Sequence, residues 1–69
     1  MDKSEILKLV GKRIKNLRES KGISQVELVG KMDGVIDPTN ISRIESGRTN
    51  PTIYTLFRIA DALEVKPAE

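Results

Sequence analysis

Five polar residues, Thr39, Asn40, Ser42, Arg43 and Ser46, fall within one eight-residue stretch, and all of them can make hydrogen bonds. On a helix, at about 100° per residue, Thr39, Ser42, Arg43 and Ser46 share one arc, with Asn40 on its flank. Ile41, Ile44 and Glu45 cluster on the opposite arc. A face meant only for water would normally carry long charged side chains, which favour helix, whereas Ser, Thr and Asn are mediocre helix formers. Their presence costs stability, and close approach to a hydrogen-bonding partner supplies a reason. Short side chains admit the base edges of double-stranded DNA, where Asn can pair bidentately with adenine and Arg with guanine. The base-reading set is therefore Thr39, Asn40, Ser42 and Arg43. Taken singly, Thr39 and Asn40 are explained as well by the ordinary preferences of a first helical turn; the set with Arg43 is not.

Two further groups surround this set. Glu45 lies on the apolar arc, and carboxylates are seldom buried unless paired. Arg18 is the candidate partner, in a structural clasp between two helices. Arg48, Thr49 and Asn50 follow Gly47 and place donors in a loop, suited to phosphate contacts or to a plain polar turn.

Four helices must position these residues. From about Ser4 to Ser20, Ile6, Val10, Ile14 and Leu17 recur at spacings of four, four and three, one apolar stripe. Gly22 offers the left-handed stop. Ser24 and Glu27 form the S-x-x-E box that opens a second helix. Its buried side is Leu28, Val29 and Met32, and Asp33-Gly34 ends it. Asp37-Pro38 opens a third, because aspartate caps well and proline loses no hydrogen bond at the first helical position. It runs to about Ser46 and stops at Gly47. Thr52 caps a fourth, expected to bury Ile53, Leu56, Ile59, Ala60 and Leu63 before Val65 and Pro67 end it. Residues 66–69 read as the start of a fifth. No period-two apolar pattern of useful length occurs. The expected fold class is all-α, a compact bundle of four to five short helices containing a helix-turn-helix, in a single domain over residues 1–69.

Composition narrows the function classes. The 69 residues include no cysteine and no histidine, so disulfides and thiol or imidazole metal sites are ruled out. No nucleophile–base pair or phosphate-cradling glycine loop is evident, which leaves no support for an enzyme, a cofactor or a small-molecule substrate. No apolar run reaches membrane-spanning length and no signal-peptide core is present, so a cytoplasmic protein is expected. Formal net charge is only +2, but residues 1–22 hold seven Lys/Arg against three Asp/Glu. That basic first helix is either a diffuse attraction for phosphate or a solvated face.

Three segments carry a family resemblance: RIKNLRESKGISQVELV at 13–29, NISRIESGRTNP at 40–51 and TLFRIADALEV at 55–65. Together they resemble the lambda-repressor-like (Cro/XRE) helix-turn-helix DNA-binding domains over nearly the whole chain. The resemblance implies a regulator, most simply a repressor, that binds a palindromic operator as a homodimer. It further implies that Gln25, Arg48, Thr49 and Asn50 contact phosphate, that Thr39, Asn40 and Arg43 read bases, and that Arg18 and Glu45 pair internally; Ser46, at the end of the polar arc, is assigned to the phosphate-contacting set as well. The chain departs from the pattern by about two extra residues between Met32 and Ile41, and Pro38 stands where relatives often carry a polar reader. An antitoxin-type or restriction–modification controller role fits the same residues. A protein-interaction module reusing the fold is the alternative from another class, and it requires an exposed apolar patch on the reading face.

Overall fold

Each helix begins at a side-chain cap that the sequence supplies. The computed structural model describes residues 1–33 and 36–65. Asp2 caps α1 (Lys3–Ser20), with its Oδ1 accepting from the Glu5 amide at 2.8 Å. Ser24 caps α2 (Gln25–Lys31) in a full capping box: Ser24 Oγ accepts from the Glu27 amide, and Glu27 Oε1 accepts from the Ser24 amide at 2.9 Å. Those Ser24 hydrogen bonds hold the Glu27 carboxyl below its ordinary pKa. Asp37 caps α3 (Pro38–Glu45) through the Asn40 amide, with Pro38 in the first turn as expected. Thr52 caps α4 (Ile53–Ala62) through the Thr55 amide. Among the described residues there is no strand.

The helix ends follow a common pattern. After α1, Gly22 is left-handed (φ +70°), and the amides of Gly22 and Ile23 return to the carbonyls of Glu19 and Arg18. After α3, Gly47 (φ +77°) and Arg48 do the same with Ile44 and Arg43. The α2 and α4 ends use non-glycine residues instead: Asp33 (φ 54°) and Glu64 (φ 59°) take the left-handed position. The end of α2 therefore turns on Asp33 itself. Gly34 and Val35 of the long turn lie outside the described residues, as do residues 66–69, where a fifth helix is expected.

Leu28, Met32, Ile41, Ile59 and Leu63 are fully buried, with Ile14 and Ile44 completing the core. Leu17, Val29, Ile36 and Leu56 pack around it. Two expected core positions are corrected. Ile53 is 74% exposed, because it lies at the edge of the apolar arc of α4, in a first turn over which none of the described residues packs closely. Ile6 is 46% exposed, one turn beyond the part of α1 that α3 covers. The buried strip of α1 instead runs through Ile14, Arg18 and Gly11. Gly11 matters by having no side chain: a Cβ there would overlap the Ile44 and Glu45 carbonyl oxygens. The backbone of α1 thus lies directly against the last turn of α3.

Candidate nucleic-acid interface

Ile41, Ile44 and Glu45 anchor α3 inward, so its opposite arc must face out. Thr39, Asn40, Ser42, Arg43 and Ser46 are all exposed, and none of their side chains enters the core. They form one continuous short-chain polar face flanking a single cation. The Ser46 hydroxyl donates to the Arg43 carbonyl at 3.1 Å, so it offers a partner only its lone pairs while that bond persists. Arg48 and Asn50 are exposed and Thr49 half-buried in the loop that follows Gly47. The tight return at Gly47, which also sits against Lys8 of α1, brings this loop beside the C-terminal end of the polar face of α3.

Behind that face lies a buried polar node. Arg18 Nε donates to Glu45 Oε2 at 2.7 Å and Arg18 Nη2 donates to Glu45 Oε1 at 3.0 Å, a bidentate pair. The two side chains are 9% and 3% exposed. The hydrogen bond to Glu45 raises the Arg18 pKa above its ordinary value, outweighing burial, which acts the other way. Arg18 Nη1 also donates to the Ile23 carbonyl at 2.8 Å, closing the turn between α1 and α2. Gln25 then joins from the first turn of α2: its Nε2 donates to Glu45 Oε1 at 3.0 Å. One carboxylate therefore ties α1, α2 and α3 together. The pairing of Arg18 with Glu45 is expected from the sequence; the third arm from Gln25 is not, since a spacing of 20 residues carries no periodic signal. Gln25 is half-buried rather than fully outward.

Two features escape the sequence altogether. Arg58 of α4 donates to the Met32 carbonyl at 3.3 Å and lies 3.6 Å from Asp33 Oδ2, fastening α4 to the end of α2. Asp33 is largely exposed, so the ionic part of this contact is weak. The outer face of α4 carries the only aromatic residues of the chain, Tyr54 and Phe57, 62% and 55% exposed. With Arg58, Asp61 and Val65 they line a groove. Among the described residues no cluster of carboxylates could hold a metal, and no helix is long and apolar enough to cross a membrane.

This geometry has close counterparts. The chain is 37% identical over 65 residues to an uncharacterized HTH-type transcriptional regulator, y4dJ, of Sinorhizobium fredii, covering 94% of this chain and 82% of that one. Its fold matches the crystal structure of the restriction-modification controller protein C.AhdI from Aeromonas hydrophila at a TM-score of 0.90 and 28% identity, over 99% of this chain and 96% of that one. A helix-turn-helix family profile matches residues 14–69, a span that takes in the polar face of α3, the Arg18–Glu45 node and α4. The chain belongs to the helix-turn-helix family of the lambda-repressor-like (Cro/XRE) kind.

Proposed function

We propose that this protein is a sequence-specific DNA-binding transcriptional regulator, acting as a repressor on a palindromic operator. The observation that carries the reading is the division of α3 into a buried arc of Ile41, Ile44 and Glu45 and an exposed arc of short polar residues around Arg43. A helix of this size fits the major groove. Thr39, Asn40, Ser42 and Arg43 read base edges, while Gln25, Ser46, Arg48, Thr49 and Asn50 hold the backbone. The alternative of a protein-docking module meets no apolar patch on α3. A controller of a restriction–modification system is favoured within the DNA-binding reading by the likeness to C.AhdI along almost the entire chain.

The protein acts as a homodimer, with the outer face of α4 as the shared surface. Ile53, Tyr54 and Phe57 supply an apolar patch, and Arg58 and Asp61 stand on its edge with opposite charges. A standard interface would cover about 800 Å² per copy, a modest share of the 4668 Å² surface.

Selection of bound duplexes from a random library, at two salt concentrations, tests the reading. The expected product is two half-sites about 34 Å apart, with affinity falling steeply as salt rises. Arg43→Ala should weaken specific binding by about 1–3 kcal/mol and relax preference at one position. Selection products identical for Arg43→Ala and the parent chain would overturn the assignment of the reading face.

A further inference from the structure

We infer that Glu45, which does not reach the exposed face itself, is a positioning residue for DNA-backbone binding, acting through the Gln25 amide. The inference rests on the DNA-binding reading and adds to it a specific division of labour within one side chain. Both Glu45 oxygens are occupied: Oε2 by Arg18 Nε, and Oε1 by Arg18 Nη2 and Gln25 Nε2. A primary amide has two N–H donors and one carbonyl acceptor. Gln25 spends one donor on the buried carboxylate, and among the described residues nothing takes the other donor or Oε1. Gln25 is half-buried, so its Nε2 is held by Glu45 while part of the side chain remains accessible to solvent.

A free glutamine side chain would lose its rotamer freedom on meeting phosphate, which weakens binding. Here Glu45 has already fixed the rotamer. Arg18 in turn fixes Glu45, and it is itself tied to the Ile23 carbonyl just before α2. The chain of contacts runs from α1 through α3 to the first turn of α2, and it delivers an oriented neutral donor there. An oriented donor of this kind suits a phosphate oxygen. It reads no base, so its contribution is the same for every sequence.

The side-chain amide protons of Gln25, observed by NMR in the full chain, test this directly. In the free protein the two protons should differ, with the inner one shifted downfield and slower to exchange. Titration with the duplex recovered by selection should move the outer proton and leave the inner one in place. Gln25→Met, which keeps the length without hydrogen bonds, should weaken selected and random duplexes alike by roughly tenfold. Glu45→Gln should weaken binding in the parent chain and add little in the Gln25→Met background. Equal losses in both backgrounds overturn the inference, as does displacement of the inner proton when duplex is added. If Glu45→Gln does not fold, the proton shifts of the parent chain decide alone. A chain that binds no duplex overturns the DNA-binding reading and this inference together, whereas binding with an unmoved outer proton overturns the inference only.

Discussion

Helices α3 and α4 differ in what they turn outward. Both bury an apolar arc, Ile41 and Ile44 in one, Leu56, Ile59, Ala60 and Leu63 in the other. Beyond that arc α3 shows Thr, Asn, Ser and Arg, and α4 shows Ile53, Tyr54 and Phe57. The contrast separates two kinds of partner. A face of short polar groups gains little from burial as such and needs hydrogen-bonding edges opposite it. A face of large apolar groups gains from burial alone and needs another apolar surface. Periodicity establishes that both helices are amphipathic, but it cannot say whether a given apolar residue meets the core of its own chain or a second molecule.

The contrast can be broken from its inner side first. Glu45→Ala should cost about 3–5 kcal/mol, because it strands Arg18 as a buried charge and also releases Gln25. Thermal denaturation checks it, and an unchanged Tm would remove the node from the account of stability. Leu28→Ala should cost about 2–5 kcal/mol through the cavity left between α2 and α3, read as a lower midpoint in urea. On the outer side, Phe57→Glu should leave the isolated domain folded while weakening self-association by at least about tenfold. Sedimentation across a concentration series separates that outcome from loss of the fold. The smallest effect is a gain: Glu64→Gly relieves a left-handed residue without disturbing the bonds at the end of α4, and should stabilise by about 1 kcal/mol.

Local signals made the helices legible. The caps at Ser24, Asp37 and Thr52 are chemical statements about the next three amides, and the structure uses each of them. The polar arc of α3 was legible for the same reason, since 100° steps from Ile41 and Ile44 leave only one outward direction. What escaped depended on contacts distant in the chain. Gly11 carries no hydropathy, so no periodic argument could reveal that α3 lies against it. Ile6 and Ile53 follow their stripes correctly, yet a stripe does not record how far the neighbouring helix extends. The third arm of the Glu45 node joins residues from separate helices through a bond of side-chain length, invisible to spacing. Asp33, a non-glycine residue, takes the left-handed position at the end of α2, which residue preference alone would not single out.

The contact at Gly11 has a consequence for the duplex. With the backbone of α1 resting on the carbonyls of the last turn of α3, the angle of α3 is set at that point by main chain, not by side chains that could repack. A duplex seated on α3 as proposed would then meet a helix whose tilt is restrained by that contact. On the proposed dimeric reading, misfit in groove width or half-site phase would fall mainly on bending and twisting of the duplex, at a cost that depends on how easily its base steps deform. Flexible pyrimidine–purine steps between the half-sites should therefore be enriched in selected duplexes, at positions that no side chain touches.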